Sequence, residues 1–326
     1  MKKIAFLTSG GDSPGMNACI RAIVKSCFHY EIQPIGIREG FNGVMHGDFW
    51  QMTYNDVNNI IQTGGTILGT ARSEEFKDIN KRKAGLDYLI KEQIDALIVI
   101  GGDGSFKGAH AISTEIGIPV IGIPATIDND MYGTDQTIGF DTAINTVVEA
   151  VDKIRDTASS HKRIFFVEVM GRDSGSLALK SAVACGAEMV LIPEEETHIE
   201  KLAEQLKNQN QGKRGSIVIV AEGDDAGGSM DIIRKVKPFM EGYNLRATVL
   251  GHIQRGGRPS AYDRILATTM GAKAVDLLVA GEKNKMIGHV AGKLKHIDLN
   301  QGNKLHALPD MEKLVLLDQL RTKFIH

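Results

Sequence analysis

Cysteine and aromatic residues are scarce in this chain, its net charge is close to zero, and it has no long apolar run. Only 3 cysteines stand among 326 residues, at Cys19, Cys27 and Cys185. An odd number without metal-ligand spacing excludes a disulfide framework and a zinc site, and predicts buried free thiols in a reducing compartment. Lys2 and Lys3 precede only a short apolar stretch at 4–7, so no signal peptide is expected, and no segment is long enough to span a bilayer. A formal net charge of −2 removes any bulk attraction to nucleic acid or to an anionic membrane surface. Any anionic ligand must therefore be met by local clusters of Arg and Lys, in a soluble protein expected in the cytoplasm. Proline is sparse as well, with 8 against 36 glycines, a balance that suits many tight strand-to-helix turns better than disorder.

Strands and helices alternate along the sequence. Strands are predicted at 3–8, 33–37, 96–100, 119–123, 164–170, 189–192, 216–221 and 247–250, several of them continuous Val/Ile/Leu runs. Such runs belong to parallel strands covered on both faces. Between them lie amphipathic segments; over 138–157, Ile144, Val147, Val148, Val151 and Ile154 keep helical spacing, with Asp152, Lys153 and Arg155 off that stripe. This order predicts a doubly wound α/β fold in two domains, which binds ligands at the carboxyl ends of its strands. The length supports two sizeable cores. No low-complexity linker marks the boundary, which falls near Gly139.

The acid- and glycine-rich turns fall at those carboxyl ends. The first, at 8–17, runs Thr-Ser-Gly-Gly-Asp-Ser-Pro-Gly-Met-Asn from a strand into a helix, whose exposed amides suit an anion. Taken alone it reads as an ordinary turn, and it is neither a Walker A motif nor the spaced dinucleotide fingerprint. Gly101-Gly102-Asp103-Gly104-Ser105 is more specific, since phosphates can sit on its amides while Asp103 binds Mg²⁺. A simple helix cap at Asp103 is the bland alternative, but capping does not need so many small flanking residues. Thr126-Ile127-Asp128-Asn129-Asp130 sets two carboxylates two residues apart, one placed to take a proton from a sugar hydroxyl. A calcium-like acidic turn competes with that reading, although too few ligands lie nearby for a cage. Basic and polar clusters at 159–163, 170–172, Arg246 and 252–257 complete the set. Arg forks grip phosphate oxygens bidentately, whereas any single Arg is more often simply solvated. Together the turns point to phosphoryl transfer.

From Lys2 to about Val290 the sequence resembles the bacterial ATP-dependent 6-phosphofructokinases. The strings TSGGDSPGMNA, GGTILGTAR, GGDGS, TIDND, GTDQTIGFDTA, KIRDTASSH, VEVMGR and ATVLGHIQRGG stand in that family's order. The resemblance implies two doubly wound, Rossmann-like domains with the active site in the cleft between them. It assigns 1–138 plus 251–305 to ATP and Mg²⁺ and 139–250 plus 306–326 to fructose 6-phosphate. Gly11, Arg72, Ser73, Gly102, Asp103, Gly104 and Ser105 match the ATP site, with Asp103 as the Mg²⁺ ligand. Asp128 matches the base for the sugar 1-hydroxyl, and Arg72 and Arg172 are placed to stabilise the charge that develops on transfer. Thr126, Ile127, Met170, Gly171, Arg172, Glu222, His252 and Arg255 match contacts to fructose 6-phosphate. In that family Arg163 and Arg246 reach the sugar phosphate from a neighbouring subunit, which implies a homotetramer with shared sites and fructose 1,6-bisphosphate and ADP as products.

Pyrophosphate-dependent relatives carry Asp at the second glycine of GGDG and Lys just before TIDND. Here those positions are Gly104 and Ala125, small and neutral, so ATP is the expected donor. Ala125 stands where glycine is commonest, which matters only if the backbone there needs φ > 0. Arg21, Arg155, Gly186, Glu188 and Lys213 match a basic effector site for ADP or phosphoenolpyruvate. Lys25 replaces an arginine, Tyr54 stands where another basic residue is usual, and Gln211 and Gly215 stand where Lys and His are often found. A thinned site with a weak or altered effector response is the expectation. Two rivals are weaker: NAD and lipid kinases share GGDG but lack TIDND and HIQRGG, and a non-catalytic paralogue would be expected to lose Asp103, Asp128 or Arg172.

Overall fold

The computed structural model describes residues 1–71, 73–161, 163–210, 215–302 and 307–320. The chain divides into two compact units. The first comprises Met1–Thr126, Met131–Thr142 and Arg255–Ala307, and the second Ile127–Asp130, Ala143–Gln254 and Leu308–His326.

The first unit is built on seven strands: β1 (Lys3–Ser9), β2 (Gln33–Ile37), β3 (Phe49–Gln51), β4 (Ala96–Gly101), β5 (Val120–Pro124) and, late in the chain, two more. The second unit holds β6 (Arg163–Val169), β7 (Met189–Leu191), β8 (Ser216–Ala221) and β9 (Asn244–Val249); β10 (Lys285–Val290) and β11 (Lys293–Asp298) return to the first. The first sheet runs β11-β10-β5-β4-β1-β2-β3, with a parallel centre and antiparallel pairs at its two edges. The second runs β7-β8-β6-β9 and is parallel throughout.

The apolar runs are explained by cover on both faces. Side chains alternate across a strand, so Ile4 and Phe6 of β1 enter one core while Ala5 and Leu7 enter the other. In β6, Phe165 and Val167 face one core, and Ile164 and Phe166 the opposite one. In both sheets the strand order reverses beside the unit's first strand, between β1 and β4 and between β6 and β9. Crevices at such reversals, at the carboxyl ends, are where doubly wound folds bind ligands.

The structure extends several expected elements. The helix after GGDG, expected over 106–116, is Asp103–Ile116, because those small residues form its first turn rather than a loop before it. The helix expected over 138–157 is Phe140–His161; it starts after Gly139 at φ 101° and runs through polar residues that do not break it. Strands β3, β10 and β11 have no counterpart among the sequence-predicted runs. Cys19 and Cys27 are buried and free, but Cys185 is only half-buried, at the last position of the helix Ser176–Cys185. Burial pushes the Cys27 thiol up to about 12 and that of Cys185 to about 11.

A buried carboxylate joins two helix starts in the first unit. Asp263 has no exposed surface and accepts from the N–H of Gly139 (2.9 Å), the N–H of Thr142 (2.8 Å) and the Thr142 hydroxyl (2.5 Å). It thus caps the helix Phe140–His161 from within Ala261–Val279, whose own start is capped by Ser260 accepting from the Asp263 N–H. Burial pushes the Asp263 carboxyl up to about 6, against the opposing pull of those hydrogen bonds. A carboxyl raised from 3.8 to about 6 binds more protons folded than unfolded between those values, so stability declines as pH rises through about 6. Urea titrations from pH 4 to 7 should show that decline flattened in Asp263→Asn. Asp263→Ala should lose about 2–3 kcal/mol, because it leaves buried N–H groups without their acceptor.

Candidate active site

In the first unit, register decides the geometry. Ser9, the last residue of β1, pairs with Gly101, the last of β4, so the turns after them open side by side at the strand reversal. Gly101 tolerates no side chain, since a Cβ there would overlap the Ser9 carbonyl. Gly102 precedes the helix Asp103–Ile116, and Asp103 occupies its first turn, where the helix dipole favours negative charge. The Asp103 side chain is 22% exposed and pairs with Lys107 Nζ at 2.5 Å, one helical turn on. Ser105 is buried, whereas Gly104 is exposed and a Cβ there would meet nothing within 4 Å. Ser73 caps the short helix Glu74–Lys77 by accepting from the Phe76 N–H (3.3 Å). Arg72 lies outside the described residues.

Gly11 sits under the Arg255 guanidinium, whose Nη1 donates to the Asp12 carbonyl at 3.4 Å. Arg255, matched by sequence to the sugar phosphate, is thus held against the first glycine turn. Thr126 is buried, and its carbonyl accepts from the Thr137 hydroxyl at 2.6 Å. Ala125 is also buried and is absent from the residues with positive φ, so its methyl is carried without backbone strain.

In the second unit, the turn of Met170, Gly171 and Arg172 leaves the end of β6, and residues 251–254 of the helical turn Gly251–Arg255 follow β9 at the same reversal. Gly171 (φ 144°) and Arg172 (φ 51°) both have left-handed backbone, which for an arginine costs of order 1–3 kcal/mol. The turn is held by Glu222, whose Oε1 accepts from the N–H of Gly171 (3.3 Å) and of Arg172 (2.9 Å). Arg172 Nε then stands 3.6 Å from Asp128 Oδ2, pairing a guanidinium 56% exposed with a carboxylate 5% exposed. Ile127 is fully buried beside Asp128, and His252 is exposed. The pair sets a guanidinium against the one carboxylate of this turn that is almost out of solvent.

Arg163 and Arg246 do not join this group. Arg163 opens β6 and Arg246 lies on the edge strand β9 opposite Phe165, near the amino ends of strands whose carboxyl ends carry Arg172 and His252. At about 3.3 Å per residue, the length of β6 alone keeps Arg163 roughly 20 Å from its own chain's Arg172 turn. The effector candidates fall into two sets. In the first unit, Arg21 and Lys25 share a face of the helix Met16–His29, and Lys25 Nζ donates to the Tyr54 hydroxyl at 2.6 Å while lying 4.0 Å over its ring. That hydrogen bond and charge hold the Tyr54 phenol below its ordinary range. In the second unit, Arg155 donates to the carbonyls of Cys185 (2.7 Å) and Gly186 (3.1 Å) and stands 3.9 Å from Glu188. Lys213 and Gln211 lie outside the described residues.

Sequence reasoning missed the tie between Lys107 and Asp103 and the role of Gln254, a fully buried residue inside the quoted HIQRGG string. An i, i+4 spacing of Asp and Lys was legible in the first case. No local signal marks the second.

Comparison with known proteins identifies the family. A model of the phosphofructokinase family matches residues 3–278. The ATP-dependent 6-phosphofructokinase of Natranaerobius thermophilus is 56% identical over 289 residues, covering 88% of this chain and 89% of that protein. ATP-dependent 6-phosphofructokinase 1 of Thermus thermophilus is 50% identical over 295 residues, covering 90% and 91%. Among solved structures, phosphofructokinase from Saccharomyces cerevisiae superposes with a TM-score of 0.87 at 35% identity, over 98% of this chain and 47% of that longer one. A pyrophosphate-dependent phosphofructokinase from Marinobacter aquaeolei, at 21% identity and TM-score 0.84, shares the fold. On the family match over residues 3–278 and these identities, the chain belongs to the phosphofructokinase family.

Proposed function

We propose that this chain is an ATP-dependent 6-phosphofructokinase, transferring the γ-phosphoryl group of ATP to the 1-hydroxyl of D-fructose 6-phosphate in the committed step of glycolysis. The observation that carries the reading is the Arg172–Asp128 pair, a nearly buried carboxylate 3.6 Å from a guanidinium presented where β6 ends. Relatives 50–56% identical over most of the chain bear that activity as their name.

Asp128 accepts the proton of the 1-hydroxyl as its oxygen attacks. Arg172 supports the negative charge that spreads over the transferring group, and the turn held by Glu222 presents it. Phosphoryl transfer asks mainly for in-line placement and charge neutralisation, so rigid presentation of these groups is the protein's main contribution. The amides after β1 and β4 receive the nucleotide phosphates.

Asp103 fits a magnesium ion that arrives with the nucleotide. It is a single carboxylate with partial exposure, and no group of three or more metal-ligating side chains occurs among the described residues. Mg²⁺ is commonly held by one or two carboxylates together with substrate phosphates and water, and when bound it neutralises phosphate charge. Lys107 would yield its place on Asp103 to the cation.

The distant placement of Arg163 and Arg246 supports a homotetramer in which each subunit lends these cations to a neighbour's sugar-phosphate site. No helix among the described residues is long and apolar enough to cross a membrane, which is compatible with a cytoplasmic enzyme.

One coupled assay tests the reading: fructose 6-phosphate with ATP, then with pyrophosphate. Turnover with ATP and none with pyrophosphate is expected, and the reverse would overturn the donor assignment. With Lys25 engaged by Tyr54, titrating ADP and phosphoenolpyruvate at low sugar phosphate should give shallow responses. Flat curves for both would remove the effector site.

A further inference from the structure

We propose that Gln254 is a positioning residue that fixes Arg172 through the backbone of the turn before it. Gln254 has no exposed surface, so its amide must be satisfied internally. Its Oε1 accepts from the Met170 N–H at 3.2 Å, and its Nε2 donates to the Gly251 carbonyl at 2.9 Å. Only one orientation of the amide satisfies both partners, since one offers a donor and the other an acceptor. The side chain therefore ties the end of β6 to the end of β9, joining residues 84 positions apart in sequence.

That tie completes a pattern around the turn. Met170, Gly171 and Arg172 present three successive N–H groups; Gln254 takes the first and Glu222 the other two. The backbone at Gly171 and Arg172 is left-handed, a strained form for the arginine that those acceptors help to hold, together with the Ser174 N–H donating to the Gly171 carbonyl at 2.9 Å. Behind the turn, a Cβ on Gly223 would overlap the Arg172 carbonyl, which shows how closely the next strand end backs it. The Arg172 side chain is more than half exposed, so packing does little to place it. Its position beside Asp128 is inherited from the backbone, and Gln254 is the buried anchor of that backbone. All of these residues lie in the second unit.

The inference rests on Arg172 acting in phosphoryl transfer. A displacement near 1 Å of a catalytic group costs about 10²-fold. The test compares kcat and KM of Arg172→Ala, Gln254→Met and the double variant with ATP and fructose 6-phosphate. Gln254→Met should lower kcat about 10- to 100-fold, and the double variant should be no slower than Arg172→Ala alone. A Gln254→Met enzyme with wild-type kcat overturns the positioning role. So do effects that multiply, because Gln254 would then act independently of Arg172. If Arg172→Ala turns over at the wild-type rate, the catalytic reading of Arg172 falls and the positioning role with it. Should Gln254→Met fail to fold, Gln254→Asn keeps the amide one methylene short of its partners and is read by the same comparison.

Discussion

Asp128→Asn is expected to bind both substrates and to turn over about 10²–10⁴-fold more slowly, the usual contribution of a positioned general base. The substitution is nearly isosteric, so the burial of the side chain beside Ile127 is preserved. What it removes is the charge and the basic lone pair that Arg172 supports from 3.6 Å. The neutral amide still accepts a hydrogen bond from the sugar hydroxyl, so KM should move little while kcat falls. Steady-state kinetics with separate binding titrations separate the two quantities. An unchanged kcat would remove Asp128 from its role as base.

Gly104→Asp should fold as well as the parent and lose about 10³-fold in kcat/KM with ATP. A Cβ at Gly104 meets nothing within 4 Å, and the residue is exposed in the first turn of a helix, where an added carboxylate is welcome. Stability is therefore not at issue. A carboxylate about 4 Å from a bound phosphate, at an effective dielectric of about 20, costs about 4 kcal/mol. That equals roughly three decades in affinity. Thermal unfolding should superpose on that of the parent, and ATP kinetics within tenfold of the parent would sink the argument.

Much of the fold was legible because the central strands carry their own signal. Strands 33–37 and 216–221 coincide with β2 and β8, and β1, β4, β5, β6 and β7 differ from expectation by about one residue at an end. The expected strand at 119 begins at Val120 because Pro119 has no N–H for the ladder. Signal fades at the edges. β9 was expected only from 247, but it starts at Asn244, since an edge strand carries polar residues such as Arg246 at no cost. β11 has lysines at Lys293 and Lys295 for the same reason, and β10 pairs with it across a tight turn at Ala291 and Gly292, both with positive φ. None of the three shows the continuous apolar run that marks a central strand.

At the site, the sequence by itself determined the chemistry on offer: acids and glycines at strand ends, Arg172 and Arg255 among small residues, and a neutral pair at Gly104 and Ala125. Those are properties of residue type and local order, and local order is what a linear pattern records. The tertiary structure alone decided adjacency. Parallel pairing sets Ser9 beside Gly101 and runs β6 against β9, through crossovers that leave no trace in either partner's neighbourhood. It also decided which acceptors hold three successive amides, and hence where a half-exposed guanidinium stands relative to Asp128. Arg163 shows the same division, its charge legible in sequence and its separation from Arg172 set by the length of a strand.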